Sequence, residues 1–283
     1  MAKLVWFITG CSSGIGEQLV HIILARGDKV IATARNPDSI LPLESLGAST
    51  LQLDVTSDEP TIAAVIAQAV SIYGRIDVLV NNAGYVQIGN WEDLAPETWQ
   101  SQFATNFFGP IKITRGVLPY FRRQQSGTLV FVSSLSGWIG HPGCGAYASS
   151  KFALEGAVES LRGETSRFGI KTLLIEPGRF RTMLLSGEKM KAATSSVGDY
   201  QGTYEKQLEY LAKEDRAQPG DPVKLVNIIV DLVRGEGVAE GKEVPFRVPI
   251  GTDCYEEVRG KCEQTLSVLG DWETVIKSTD YDG

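Results

Sequence analysis

Apolar residues along this chain follow two alternating rhythms. Short, β-branched-rich runs at residues 3–8, 29–33, 51–53, 76–80, 128–132 and 171–175 predict buried strands. Between them, apolar residues recur every three or four positions, as on one face of a helix. Residues 17–26 carry Leu19, Ile22 and Ile23 in this way, and residues 59–73 carry Ile62, Val65, Ile66 and Ala69. Residues 147–168 continue the pattern. Residues 96–123 predict one long helix or a broken pair, because Gly109-Pro110 should bend or split it. Further on, residues 221–234 predict a helix, 244–248 a last short strand and 253–269 a last helix. The tail at 270–283 is polar and expected to be mobile or draped. Strands alternating with helices imply right-handed crossovers and a parallel sheet covered on both faces. The predicted architecture is an α/β, doubly wound, single domain over 1–283.

The unusual residues fall where those strands end. Thr9, Gly10, Ser12, Ser13, Gly14, Ile15 and Gly16 follow the first strand and open the first helix. Gly10 lets the chain turn sharply, and Gly14 and Gly16 leave no Cβ where a phosphate and the strand approach. The free N–H groups of the helix start would face an anion. Ala34 and Arg35 end the second strand, Asp54 and Val55 the third, and Asn81, Asn82, Ala83 and Gly84 the fourth. Ser134 follows the fifth, and Pro177-Gly178 the sixth. Ligands of open α/β sheets bind at these carboxyl ends.

Tyr147 and Lys151 are four apart, hence one turn apart on one helix face. A phenol is a weak acid, with a pKa of roughly 10. A nearby ammonium should pull that value down, making Tyr147 a candidate general acid/base. Ser134, across a Gly- and Pro-rich turn, could hold a carbonyl oxygen. Alone, the pair reads equally as an amphipathic helix with a half-buried Tyr and a snorkelling Lys.

Composition excludes several classes. With 283 residues, 43% hydrophobic and 22% charged, the chain is ordinary globular protein. A net charge of −7 without a Lys/Arg cluster argues against nucleic acid or anionic membrane as partner. Cys11, Cys144, Cys254 and Cys262 share no metal or disulfide spacing, which predicts a reducing, cytoplasmic setting. Two His make a His-based zinc site improbable, and no metal is expected. No apolar run is long enough for a membrane span, and the N-terminus shows no cleavable signal pattern.

Taken together, Thr9-Gly-x-x-x-Gly-Ile-Gly16, Asn81-Asn-Ala-Gly84, Asn106, Ser134, Tyr147-x-x-x-Lys151 and Pro177-Gly178-x-x-x-Thr182 resemble the short-chain dehydrogenase/reductase family. The loop lengths and the Ala34-Arg35 strand end are most similar to its retinol- and 17β-hydroxysteroid-dehydrogenase-like branch. The resemblance implies a Rossmann-type fold, a nicotinamide cofactor and interconversion of a carbonyl and an alcohol. It implies that Tyr147 is the acid/base and that Ser134 holds the substrate oxygen. Lys151 would bind the nicotinamide ribose and lower the Tyr147 pKa. Asn106 would support a proton-relaying water, and Thr182 would bind the carboxamide. Residues 183–218 would be a substrate lid, with a disordered surface insertion as the competing reading, and Tyr204, Leu208 and Leu211 on one face predict a short helix over 204–213. Ala34 and Arg35 favour NADP(H) over NAD(H), because there is no acid for a ribose 2′-hydroxyl and a guanidinium for a 2′-phosphate.

Tyr85, Trp138, His141, Phe180, Met183 and Leu184 are the expected pocket lining for a mainly apolar small molecule. Core packing is the competing reading for the apolar ones, and Cys11 reads as a small filler. The resemblance implies pairing of the helices near 100–123 and 148–168 across a two-fold axis, and Phe152, Leu154, Val158 and Leu161 exceed one sheet-facing stripe, so a homodimer or homotetramer is expected. Two other functions stay open on sequence: a redox-neutral cyclase or epimerase using the same pocket, and a non-catalytic nucleotide-binding module.

Overall fold

Each predicted strand forms, and all of those in the main sheet run parallel. The computed structural model describes residues 3–187 and 189–281. The main sheet contains β1 (Val5–Ile8), β2 (Lys29–Ala34), β3 (Ser49–Gln52), β4 (Val78–Asn81), β6 (Gly127–Val132), β7 (Ile170–Pro177) and β9 (Arg247–Ile250). A separate two-stranded sheet pairs β5 (Val86–Ile88) with β8 (Met190–Ala192). The main order is β3-β2-β1-β4-β6-β7-β9, so the chain winds outward both ways from β1 and β4. This is the doubly wound, Rossmann-like arrangement expected from the sequence, with its switch point between β1 and β4.

Alternation along the strands feeds two cores. Trp6 and Ile8 of β1 face one layer, where α1 (Gly14–Ala25) and α7 (Pro222–Arg234) supply Leu19, Ile23, Val226 and Ile229. Val5 and Phe7 face the other, with Ile62 and Ile66 of α2 (Glu59–Tyr73) and Phe121 of α4 (Gly109–Gln124). Leu154 and Val158 of α5 (Gly145–Thr165) join that second layer. Burial on both faces explains why the strands read as continuous apolar runs.

The structure revises some boundaries. Gly109-Pro110 does not split the long helix. Instead α3 (Pro96–Phe103) passes into a widened π-helical turn, Ala104–Phe108, and then α4. Within it Gly109 N bonds back to Ala104 O, five residues away, and the ring of Pro110 fits the wider turn. The last strand begins at Arg247, three residues later than expected, since Pro245 has no N–H to donate. Pro249 is tolerated because β9 is an edge strand.

Residues 183–218 hold a short 3₁₀ turn, β8 and α6 (Gly198–Glu214), a longer helix than 204–213. α8 (Thr252–Asp271) and α9 (Glu273–Lys277) make the tail helical as far as Lys277 but for Trp272, rather than draped. Leu266, Leu269, Trp272 and Ile276 sustain its helical period, yet residues 259–281 are all exposed and cover nothing in this chain. Residues 282–283 lie outside the described residues.

Candidate active site

A cleft of about 430 Å³ opens at the carboxyl ends of the strands. Its wall begins with the Gly-rich turn after β1. Thr9 N bonds to Val80 O at 3.0 Å, and Cys11 N to Thr33 O at 2.9 Å, tying the turn to both neighbouring strands. The Thr9 hydroxyl accepts from Asn82 N at 3.0 Å and Ala83 N at 3.1 Å. In return the Asn82 amide donates to Thr9 O at 2.9 Å and Gly10 O at 3.0 Å. Gly10 has φ +72°, and a Cβ there would lie 2.8 Å from Ala83 Cα. Burial pushes the Cys11 thiol up to about 12, which fits an inert filler.

That turn fits the phosphates of a dinucleotide. Ser13 precedes α1 without capping it by its side chain, and its Oγ is buried with no hydrogen-bond partner. The first N–H groups of α1 therefore face the cleft unshielded by a cap. Gly10, Ser12, Ser13, Gly14 and Ile15 line the cleft, as do Arg35, Asp54, Val55, Asn82, Ala83, Gly84, Pro177, Gly178 and Thr182. Thr182 lies across the turn, 3.5 Å from where a Gly14 Cβ would sit. Thr9 and Gly16 stand one layer behind. A Cβ on Gly16 would run into Gly10 O and the Asn82 amide.

Ser134, Tyr147, Lys151 and Asn106 line the same cleft. Lys151 Nζ donates to Val132 O at 2.8 Å and stands 5.8 Å from the Tyr147 ring centroid. Asn106 sits in the π turn, where its side chain bonds Tyr85 N at 3.2 Å and Tyr85 O at 3.0 Å. Burial pushes the Tyr147 phenol up to about 12, opposed by its hydrogen bond with Ser134. Sequence reasoning expected Lys151 to lower it. In the structure burial dominates instead, and also takes the Lys151 ammonium down to about 8. The phenol thus stays protonated across the neutral range.

Tyr85, Phe180, Met183 and Leu184 line the cleft, but Trp138 and His141 do not. A 3₁₀ turn, Leu135–Gly137, swings Trp138 away, so that its Nε1 donates to Glu176 Oε2 at 2.8 Å. His141 Nε2 pairs with Glu257 Oε2 at 2.9 Å on α8. In this structure both expected pocket residues stand outside the cleft, each bonded to a carboxylate.

Sequence reasoning missed a buried polar cluster behind the site. Ser133, next to Ser134, donates to Glu155 Oε1 at 2.6 Å. Glu155 pairs with Arg247, which also donates to Glu176 Oε1 at 2.8 Å. Glu155 extends the Tyr147–Lys151 ladder by one more turn, a spacing that could have marked it. Burial, then the neighbouring Glu176 charge, push its carboxyl up to about 7. A raised carboxyl favours folding fully below its ordinary value near 4.5, and that contribution is lost as pH rises through about 7. Glu155→Gln lacks this loss. Its stability deficit relative to the wild type should therefore narrow by on the order of 1 kcal/mol between pH 5 and 8. Parallel thermal melts across that range test this, and a constant deficit would count against it.

Among the described residues no group of three His, Cys, Asp or Glu could hold a metal. No helix is long and apolar enough to cross a membrane, again among the described residues.

Residues 4–192 match the family model for short chain dehydrogenases. The chain is 39% identical to an uncharacterized oxidoreductase, YusZ, of Bacillus subtilis, over 98% of both chains. It is 35% identical to a 3-ketodihydrosphingosine reductase of Bacteroides thetaiotaomicron, over 89% of both. A short-chain dehydrogenase structure from Streptomyces avermitilis superposes with TM-score 0.87 at 33% identity, covering 99% of this chain and 100% of that one. The chain belongs to the short-chain dehydrogenase family of oxidoreductases, which bind a nicotinamide cofactor.

Proposed function

We propose that the protein is an NADP(H)-preferring oxidoreductase that interconverts a ketone or aldehyde and an alcohol on a mainly apolar small molecule. The observation that carries this reading is the convergence of Ser134, Tyr147 and Lys151 in one cleft with an uncapped Gly-rich helix start. When bound, the nicotinamide cofactor supplies or accepts the hydride. Ser134 holds the substrate oxygen by its hydroxyl. Tyr147 donates its phenolic proton to that oxygen as negative charge develops, which a phenol held near 12 can do at neutral pH. Lys151, anchored on Val132 O, keeps a positive charge beside the phenol and a donor towards the cofactor ribose. Asn106 fixes Tyr85 and with it the turn between β4 and β5.

The substrate side supports an apolar ligand. Residues 183–218 act as its lid, with Leu184, Met190, Tyr204, Leu208 and Leu211 in one apolar cluster with the Tyr147 ring. The 3-ketodihydrosphingosine reductase relative is named for the reduction of a keto compound. Exposed Phe108 and Phe152 on the helical face support a homodimer, which light scattering at micromolar concentration would test. The setting is cytoplasmic, in keeping with Cys11, Cys144, Cys254 and Cys262 all being free thiols.

Cofactor preference follows from the end of β2. Ala34 offers no carboxylate, and exposed Arg35 can pair with a 2′-phosphate. One such charge-assisted contact corresponds to about 10- to 150-fold. Oxidation of NADPH and NADH, followed over a panel of apolar ketones and charged sugars, tests the whole reading. The expected result is turnover of apolar ketones with NADPH preferred. Ala34→Asp should shift the preference towards NADH. No turnover with any carbonyl would sink the proposal, and equal efficiency with NADH would reduce Arg35 to a surface charge.

A further inference from the structure

The 183–218 segment brings to the cleft two cations that the reading above leaves without a role. β8 runs parallel to β5 with Lys191 opposite Gln87, and Val86 N bonds to Lys189 O at 2.9 Å. Ala193 N closes the pairing on Ile88 O at 2.9 Å. Alternate residues of a strand face opposite ways. Met190 points into the apolar cluster around Tyr147, while Lys189 and Lys191, on either side of it, line the cleft. Lys191 Nζ stands 4.6 Å from the Tyr85 ring centroid. Burial dominates at the Cys11 thiol of the Gly-rich turn, but the Lys189 charge reaches it and acts the other way.

The charge balance of the cleft is one-sided. Arg35, Lys151, Lys189 and Lys191 line it, against Asp54 as the one carboxylate lining it among the described residues. Asp54 already accepts from Thr56 N at 2.8 Å and Thr56 Oγ1 at 2.7 Å. Lining the same cleft, Ser13 has its Oγ buried without a partner, and the start of α1 presents its N–H groups. The cleft thus carries two sets of donors, one fixed in the sheet and one carried by the 183–218 segment. Like charges brought together repel, and a multiply charged anion between them reverses the sign of that interaction.

We infer that Lys189 and Lys191 form the second jaw of an anion clamp. They close on phosphate groups of the bound dinucleotide, so that seating of the 183–218 segment and cofactor binding are one linked event. The inference rests on the nicotinamide reading given above. Linkage is reciprocal: the dinucleotide holds the segment down, and the seated segment holds the dinucleotide. Lysine acts here as a point charge rather than a two-pronged donor, so arginine can replace it.

The test is calorimetric binding of NAD+ and NADP+ to the wild type, K189Q/K191Q and K189R/K191R, at low and high salt. Chymotrypsin cleavage of the segment is followed alongside, with and without each dinucleotide. The double Gln variant should bind about tenfold more weakly, a change of about 1.4 kcal/mol. Its affinity should fall less steeply with salt than that of the wild type. The Arg variant should bind like the wild type, and dinucleotide should protect the segment in both but not in the Gln variant. Equal losses for NAD+ and NADP+ place the contact on the bridging diphosphate. A loss confined to NADP+ places it on the 2′-phosphate. Either pattern supports the clamp. Unchanged affinity and salt dependence in a folded Gln variant would overturn the clamp alone. Failure of the wild type to bind either dinucleotide would overturn both the clamp and the reading beneath it.

Discussion

Tyr147→Phe is expected to lower turnover by about 10²- to 10⁴-fold while leaving the fold and dinucleotide affinity near wild type. The ring is buried and packs with Val86, Ile88 and Tyr204, and phenylalanine preserves those contacts. Only the hydroxyl is lost, and with it both the proposed proton donor and the partner of Ser134. The change removes a group acting on charge that develops during the reaction, so kcat should fall more than KM changes. Single-turnover rates and cofactor titrations on the purified variant decide it. Turnover within threefold of wild type would mean that another group supplies the proton.

Asp28→Ala is expected to cost about 3 kcal/mol, a large part of a total stability of about 5–15 kcal/mol. Asp28 is 4% exposed. Its carboxylate accepts from Leu4 N at 3.0 Å and Trp6 Nε1 at 2.9 Å, and pairs with Arg234 at 2.7 Å. The alanine variant leaves the Trp6 indole N–H buried without an acceptor. It also leaves Arg234 with Glu236 as its remaining partner, at 2.9 Å. The melting temperature should drop by roughly 6–12 °C. Asp28 lies at the amino end of β2, away from the cleft, so kcat below the transition should be unchanged. A shift under about 2 °C would mean that water replaces the carboxylate at no cost.

Asp28 also shows where sequence reading stops. In the chain it follows Gly27 and looks like any turn residue, and nothing local points to Arg234, 206 positions away. Strands, crossovers and strand-end motifs were legible because their signals are local: apolar period, glycine and proline placement, four-residue spacing. Trp138 and His141 fall outside the cleft lining for the same reason. Their position between Ser134 and Tyr147 suggested the pocket, but distant acids, Glu176 and Glu257, draw them elsewhere. Lys189 and Lys191 escaped notice because β5 and β8 are three residues each, too short for a periodic signal, and hold each other by pairing across the fold.

The widened turn at Ala104–Phe108 acts as a phase adjuster. Each residue of a regular helix rotates the chain by about 100°. Before the turn, Gln102 points inward and bonds Gln87 N at 2.8 Å and Tyr85 O at 3.0 Å. After it, Ile113, Val117 and Phe121 face the sheet. Removing one residue from the turn would return the rod to ordinary pitch and put those two faces out of step by roughly a quarter turn. Either the cleft wall or the core would then face the wrong way. Exposed stretches of α4 can absorb substitutions, but the length of this one turn cannot change without taking Asn106 out of the cleft.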